Sequence, residues 1–146
     1  MNQSTPVLRT LRASAFIDQR ITGALSAIHG VSLRDVMLML YVKNSPGSKL
    51  SRIDLAKRLC VSPSTVTRAT NPLEKIGLID RESDTRDARL SYVVLTPSGT
   101  KLLKNAEKTL EQLSADFLQP KLSEKERTQL STILSKLTAG FPGDSI

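Results

Sequence analysis

The chain has 146 residues, which is enough to bury one hydrophobic core and too few to predict two independent ones. Its net charge of +7 favours a polyanionic partner such as nucleic acid, although a basic excess that only confers solubility stays open at this point. A single cysteine excludes an internal disulfide. The sequence contains no apolar run long enough to predict a membrane span, and residues 1–6 do not have the pattern of a secretory leader. A cytoplasmic protein is therefore expected.

The first predicted helix covers roughly residues 7–28, where apolar residues recur at helical spacing. Gly30 follows it and suits a left-handed helix end. His29 is the only histidine, and neither a second histidine nor a cysteine pair lies near it in the sequence. We therefore expect His29 to be a helix-end residue, and the sequence predicts no metal ligand and no cofactor.

A second helix is predicted to begin after Ser32, because Ser32 and Asp35 have the spacing of a capping box. The run at residues 36–42 is almost entirely apolar, and periodicity alone does not separate a buried helix from a buried strand. The cap and the leucine and methionine content favour a helix. A helix that is apolar all round should be the central buried one.

Two short helices joined by a tight turn are predicted next. Ser51 caps the first, which ends near residue 59, and Ser62 caps the second with Pro63 at its first position. Cys60 occupies a turn position that often holds glycine, so we expect strained backbone there. This arrangement is typical of a helix-turn-helix.

The second of these helices is predicted to present small hydroxyls and one arginine on the face opposite Val66. Such a face suits a DNA major groove, because hydroxyls reach phosphates or base edges and arginine can bind guanine through two hydrogen bonds. An ordinary polar helix face is the alternative. The candidate DNA-contacting residues are Ser62, Ser64, Thr65, Thr67 and Arg68.

Pro72 lies inside the same predicted helix. Proline there removes the hydrogen bond to the carbonyl of Arg68 and clashes with that turn. We therefore predict a kink at Pro72, or a helix break with Pro72 restarting the last turn before Gly77.

Two strands are predicted at residues 78–82 and 90–95, around a charged tip. An arginine at such a tip suits a narrow minor groove, where the electrostatic potential is most negative. The neighbouring carboxylates would repel phosphate unless they hold an arginine in one pose, and a solvated loop with balanced charges is the alternative. The candidate DNA-contacting residues of the tip are Arg86, Asp87 and Arg89.

Two more helices are predicted after the strands. A long one follows the Thr96-Pro97 cap and ends near residue 118, and Ser123 caps the last one. The apolar residues of the long helix are spaced 3-4-3-4, which is typical of packing against one partner helix. They are Leu103, Ala106, Leu110, Leu113 and Phe117. The last helix has an apolar face made of Leu130, Ile133, Leu134 and Leu137.

Taken together, these segments resemble the MarR family (multiple antibiotic resistance regulators) over nearly the whole chain. The most specific part is Asp87-x-Arg89 followed by a Leu-Thr-x-x-Gly sequence that ends at Gly99. The resemblance implies a mainly α fold with a small β-wing, as one domain over residues 1–146. It would contain a winged helix-turn-helix at about 33–96, flanked by dimerisation helices at 7–29 and 97–139.

The resemblance also implies a function: a homodimeric transcriptional regulator, often a repressor, that binds a palindrome in double-stranded DNA. The hydroxyls and arginine at residues 64–68 would address the major groove. Arg89, held by Asp87 and assisted by Arg86, would reach the minor groove. Because Cys60 lies in the turn rather than in the first helix, an oxidation switch is not expected.

Many members of the family release DNA when they bind a small phenolic or aromatic effector. A pocket for one would have to be lined by the first, second and fifth helices. The candidate lining residues, for each of which a place in the core is the favoured interpretation, are Ile28, Met37, Leu40 and Tyr41.

Two other classes of function stand beside this one. The first is a winged helix used for protein–protein assembly without DNA contact, against which the basic helix face and wing count. The second is an enzyme, for which the sequence offers no Ser-His-Asp, Cys-His or metal-ligand arrangement.

Overall fold

Six α-helices and a small antiparallel sheet make up residues 2–143, the part of the chain that this computed structural model describes. The predicted mainly α fold with a small β-wing is confirmed. The helices are α1 (Ser4–His29), α2 (Leu33–Asn44), α3 (Arg52–Leu59), α4 (Pro63–Lys75), α5 (Pro97–Leu118) and α6 (Glu124–Thr138). The strands are β1 (Lys49–Ser51), β2 (Ile79–Ser83) and β3 (Ser91–Leu95).

The helices begin and end at the capping residues that the sequence indicated. The Ser32 hydroxyl accepts a hydrogen bond from the Asp35 backbone N–H at 3.1 Å, and the Asp35 carboxylate accepts one from the Ser32 N–H at 2.9 Å. Ser123 forms the same capping box at the start of α6. Gly30 adopts the left-handed conformation, with φ 71°, and ends α1. Local sequence therefore sets these boundaries, except that α1 starts three residues before the predicted position.

Helix α2 is the central buried helix, as predicted. Its apolar side chains face α1, α3, α5 and β3, and its exposed residues are polar ones near the two ends, Arg34, Lys43 and Asn44. The fully buried residues of α2 are Val36, Leu38, Met39 and Val42. Burying each such side chain contributes about 1.5–3 kcal/mol relative to leaving it exposed. Residues 33–96, which pack around α2, are called the winged-helix lobe below.

The sheet has three strands in the order β1-β3-β2, rather than the two that were predicted. Strand β1 was missed because it is only three residues long and shows no alternation of its own. It forms because Leu50 pairs with Val93 of β3, and both side chains are buried in the core. Tertiary pairing therefore creates this strand.

The predicted break at Pro72 is wrong. Helix α4 runs without interruption from Pro63 to Lys75. Pro72 lies on the exposed side of the helix, while Thr70 and Leu73 are buried on the other side. The carbonyl of Arg68, which loses its helical partner, is thus on the solvent side of the helix, where water can hydrogen-bond to it.

Helix α5 joins the winged-helix lobe through a close backbone approach at Gly99. A Cβ atom at this position would lie 1.8 Å from the carbonyl oxygen of Leu78, so no side chain fits. The same carbonyl accepts a hydrogen bond from the Thr96 N–H at 3.1 Å. Beyond this junction, Leu103 and Ala106 continue the core along α5.

The far ends of α1, α5 and α6 project from this core. Phe16 of α1 meets Phe117 of α5 with ring centroids 6.0 Å apart, and the Lys121 ammonium lies 4.3 Å from the Phe117 ring centroid. Every residue from 128 to 142 is exposed, including the whole apolar face of α6. After α6 the chain returns to the lobe, where the Tyr41 hydroxyl donates a hydrogen bond to the Gly143 carbonyl at 3.0 Å.

None of the helices within residues 2–143 is both long enough and apolar enough to cross a membrane by itself. The bent pair of α1 and α2, at 79° to each other, meets that criterion only jointly, and only by length and composition.

Candidate nucleic-acid interface

The turn between α3 and α4 depends on one left-handed residue. Cys60 has φ 55° and ψ 41°, so the predicted backbone strain is present. The turn is closed by the Val61 N–H, which donates to the Ala56 carbonyl at 3.0 Å. This geometry lets α4 cross α3 with Leu55 and Val66 in the same buried core.

The exposed face of α4 contains only part of the predicted set. Ser62, Ser64 and Arg68 are exposed, whereas Thr65 and Thr67 are half-buried. The Thr67 hydroxyl donates to the Pro63 carbonyl at 3.2 Å, within its own helix. Ser62 Oγ lies 2.9 Å from the hydroxyls of both Ser64 and Thr65. The start of α4 is therefore a hydroxyl cluster, and Arg68 is the first long side chain along its exposed face.

Two exposed residues of α4 were missed. Asn71 and Lys75 are both exposed, and with Ser64 and Arg68 they have the spacing i, i+4, i+7, i+11. That spacing places all four on one side of a continuous helix, about 16 Å from end to end. Helical periodicity would have found them, but the expected break at Pro72 would have rotated the last turn away. These four residues are called the α4 stripe below.

A shared carboxylate links α4 to both of its neighbours. Glu74 Oε1 lies 3.1 Å from Nη2 of Arg52 in α3 and 3.1 Å from Nε of Arg81 in β2. The Arg52 and Glu74 side chains are only about a quarter exposed, and partly exposed pairs of this kind contribute up to about 1 kcal/mol each. Through these two contacts Glu74 ties the end of α4 to α3 and to strand β2 of the wing hairpin.

The wing tip is organised by Asp84. Its Oδ1 accepts hydrogen bonds from the N–H groups of Arg86, at 2.7 Å, and Asp87, at 3.1 Å. Its Oδ2 accepts one from the Tyr92 hydroxyl at 2.9 Å. The hydrogen bond from the Arg86 N–H, and after it the one from the Tyr92 hydroxyl, lowers the pKa of the Asp84 carboxyl. The hydrogen bond between Tyr92 and Asp84 also raises the pKa of the Tyr92 phenol.

Asp87 plays the role predicted for a carboxylate at the tip. Its Oδ1 lies 3.3 Å from Nε of Arg89 and accepts the Arg89 N–H at 3.0 Å. The Arg89 side chain is nevertheless 92% exposed, so its guanidinium extends into solvent. Asp84, by contrast, holds the backbone of the tip. The arrangement provides a cation in a defined pose at the end of the hairpin, which is what a narrow groove in DNA can accept.

Of the four predicted effector-lining residues, Ile28 lines an open cleft of about 420 Å³ between the end of α1 and the start of α5. Met37 and Leu40 are partly buried against the core, and Tyr41 is buried. The cleft is lined by Ile28, His29, Leu78, Ser98, Lys101, Leu102 and Asn105.

His29 occupies the helix end that was expected of it, and it makes a tertiary contact there. Its Nε2 lies 2.7 Å from the Thr109 hydroxyl of α5, so the ring ties the end of α1 to α5. Within residues 2–143, no three histidine, cysteine, aspartate or glutamate side chains are grouped so that they could hold a metal ion.

Comparison with known proteins finds a family model that matches this part of the chain. The family model described as "MarR family" matches residues 31–91. That span contains α2, both helices of the helix-turn-helix and the wing up to the start of β3. The match therefore falls on the elements that carry the α4 stripe and the wing tip.

Individual relatives extend over more of the chain. A candidate transcriptional regulatory protein for the hcr operon in Thauera aromatica is 29% identical over 130 residues, covering 89% of this chain and 75% of that protein. An HTH-type transcriptional repressor of Mycobacterium bovis is 27% identical over 126 residues, covering 86% and 88%. The crystal structure of Sco3205, a MarR family transcriptional regulator from Streptomyces coelicolor in complex with DNA, superimposes with a TM-score of 0.82. It is 21% identical and covers 96% of this chain and 88% of that one.

Proposed function

We propose that this chain is a DNA-binding transcriptional regulator of the MarR family, and that it acts as a homodimeric repressor of a palindromic operator. The observation that carries the proposal is the α4 stripe beside an arginine-bearing wing tip, with Glu74 tying α4 to strand β2 of the wing hairpin. The α4 stripe binds bases in a major groove, and the wing tip contacts the neighbouring minor groove.

In the proposed complex α4 lies in the major groove. The hydroxyl cluster at its start contacts phosphates, and Arg68 binds a guanine edge through its planar, two-pronged guanidinium. Asn71 and Lys75 extend this contact along the same side of the helix, because the helix continues through Pro72. Asparagine suits an adenine edge, and lysine suits a phosphate or guanine.

The wing supplies a second contact that is largely electrostatic. Arg89, oriented by Asp87, enters the minor groove, and Arg86 neutralises phosphate at its rim. The basic excess of the whole chain, +7, supports attraction to DNA that does not depend on sequence. On this account α4 supplies most of the specificity and the wing most of the salt-dependent affinity.

The second copy of the chain is proposed from the apolar surface that one copy leaves exposed. Helix α6 has 15 residues, and an isolated helix of this length is only marginally stable in water. Its exposed face includes Leu134 and Leu137, and the start of α1 exposes Leu8 and Leu11. Burying these faces between two copies gives a symmetric dimer with half-sites about one helical turn, roughly 10 bp, apart.

We also propose how the protein represses transcription and how an effector releases it from DNA. The Mycobacterium bovis relative is a repressor, and a dimer seated on an operator would exclude other proteins from that DNA. The open cleft combines three apolar side chains, from Ile28, Leu78 and Leu102, with polar groups and the Lys101 ammonium, a mixture that suits a small aromatic or phenolic effector. We also place the protein in the cytoplasm, where its DNA would be.

The test is binding to genomic fragments at a fixed salt concentration, followed by variants. Arg68→Ala should weaken binding to the best site by about 1–3 kcal/mol and relax specificity at one base pair. Arg89→Ala should weaken binding to all sequences similarly and reduce the salt slope by about one unit. Lys125→Ala on α6 removes the same charge away from both surfaces and serves as the control. Absence of any sequence-preferring binding would contradict the proposal and favour a protein–protein assembly module.

A further inference from the structure

We propose that Tyr92 is a positioning residue for DNA binding: its hydroxyl fixes the Asp84 carboxylate that shapes the wing tip carrying Arg86 and Arg89. The inference rests on the proposed function, because it states how one part of the proposed interface is held ready. Tyr92 itself need not touch DNA.

The geometry of Asp84 is the first step. Its two carboxylate oxygens have different partners, since Oδ1 accepts two backbone N–H groups of the tip and Oδ2 accepts the Tyr92 hydroxyl at 2.9 Å. The tip is closed further by the Leu90 N–H, which donates to the Asp87 carbonyl at 3.0 Å. Rotation of the Asp84 side chain would break the two tip bonds together. The hydroxyl on the opposite oxygen opposes that rotation.

The second step is that Tyr92 is itself held from both sides. It lies in β3, the middle strand, with Ser51 of β1 opposite on one side and Glu82 of β2 on the other. The Lys49 ammonium lies 4.9 Å from the centre of the Tyr92 ring and 3.0 Å from the Glu82 carboxylate. The hydroxyl is therefore carried by the most restrained strand of the sheet, and it transmits that restraint to the exposed tip.

The third step concerns charge. A free carboxylate at the tip would repel the DNA backbone. Asp84 accepts three hydrogen bonds, and these donors offset its negative charge locally. Tyr92 thus does two things for the wing: it restrains the tip, and it reduces the electrostatic cost of the aspartate that builds it.

The expected benefit is preorganisation. The Arg89 side chain is almost fully exposed, so a tip that is already ordered loses less conformational freedom when it enters a groove. Removing the hydroxyl with Tyr92→Phe keeps the ring, its strand and its contact with Lys49. We expect operator affinity to fall by about 3- to 10-fold, the usual scale for ordering one or two side chains.

A double-mutant cycle separates positioning from general destabilisation. In a background that carries Arg86→Ala and Arg89→Ala, Tyr92→Phe should lose most of its effect on affinity, because the side chains it positions are gone and only its smaller effect on the Asp84 charge remains. Tyr41→Phe, which removes the chain's other phenolic hydroxyl outside the wing, should leave affinity unchanged in both backgrounds. An equal loss from Tyr92→Phe in both backgrounds would overturn the proposal.

A second measurement does not need DNA. Trypsin cleaves after arginine, so the rates of cleavage after Arg86 and Arg89, followed by mass spectrometry, report how often the tip opens. Tyr92→Phe should raise both rates several-fold, whereas Tyr41→Phe should not. Unchanged rates would overturn the positioning role even if Arg89→Ala shows that the wing binds DNA. Raised rates in a protein that binds no operator would instead contradict the proposed function.

Discussion

The winged-helix lobe buries its apolar side chains, whereas the terminal helices leave many of theirs exposed. In the lobe, Leu38, Leu55 and Val66 are completely buried, and one chain supplies every surface that covers them. In α6, Ile133 and Leu137 are more than half exposed, and the first part of α1 exposes apolar side chains in the same way. One chain therefore buries the core of the lobe by itself, while many apolar residues of the terminal helices remain exposed.

On the proposed function, the two regions obtain their stability in different ways. Burial within one chain stabilises the lobe at any protein concentration. In the proposed dimer a second copy covers the apolar face of α6, so the stability of that region should rise with protein concentration. The unfolding of the two regions should therefore respond differently to dilution and to substitution.

The largest effect is expected from Leu134→Asp on the exposed face of α6, where Leu134 is 41% exposed. A charge there would have to be buried between two copies, so the dimer should dissociate. Operator affinity should fall by about 100-fold or more, because the two half-sites are no longer held together. Sedimentation velocity and DNA titration measure the two losses.

Leu134→Met keeps the volume and apolar character of the side chain and is the matched control. If the Asp variant still sediments as a dimer, the apolar face of α6 is not the interface, and the comparison between the two regions loses its basis.

The next effect is within the lobe, on α3. Leu55→Ala should lower the free energy of unfolding by about 2–5 kcal/mol, because it leaves a cavity in a core that one chain completes. Ile53→Ala, two residues away at a position that is 61% exposed, should change it by no more than about 0.5 kcal/mol. Urea unfolding at two protein concentrations gives both values. Similar costs for the two variants would mean that the lobe is not packed as described.

The smallest effect concerns pH and involves one carboxyl from each region. The backbone N–H and the hydroxyl of Ser123 donate to Glu126 at the start of α6 and lower its pKa below the usual 4.5. The Arg86 N–H, with Tyr92, lowers that of Asp84 below 3.8. Since folding lowers the pKa of both carboxyls, their hydrogen bonds stabilise the folded state at pH values above the pKa of each carboxyl in the unfolded chain. That stabilisation is lost only as pH falls below about 4, through the folded values.

Carbon-13 NMR of the side-chain carboxyls follows both groups directly. Ser123→Ala should raise the pKa of Glu126 only part of the way toward 4.5, because the backbone N–H still donates, and should leave that of Asp84 low. Tyr92→Phe should raise the pKa of Asp84 part of the way, because the Arg86 N–H still donates. A carboxyl that titrates at or above its ordinary pKa in the unsubstituted protein would show that its cap or turn is not formed.

Features that depend on neighbours in the sequence were predictable. The caps at Ser32, Ser62 and Ser123, the left-handed Gly30 and the pairing of Asp87 with Arg89 all involve residues a few positions apart. Their geometry follows from local hydrogen bonding, so the pattern carries it. Helix α4 shows where such local reasoning fails, since the propensity of Pro72 to break a helix was outweighed by the burial of Thr70 and Leu73.

The reach of the candidate DNA surface was harder to predict. Asn71 and Lys75 join the α4 stripe only because the helix continues, and Glu74 ties that helix to arginines from two other elements. The cleft also differs from the predicted pocket, because Met37, Leu40 and Tyr41 of α2 pack in or against the core, whereas Ile28 of α1 is exposed and lines the cleft.

By itself, the sequence determined the order of the helices, the turn at Cys60, the wing with its arginines and the family to which they point, since each is written in residues that are close along the chain. Only the tertiary structure decided that β1 completes the sheet, that Tyr92 clamps Asp84, and that the apolar residues of α6 remain uncovered. The physical reason is that strand pairing, hydroxyl–carboxylate contacts and burial join residues far apart in the chain, and no local pattern specifies which distant partner is present.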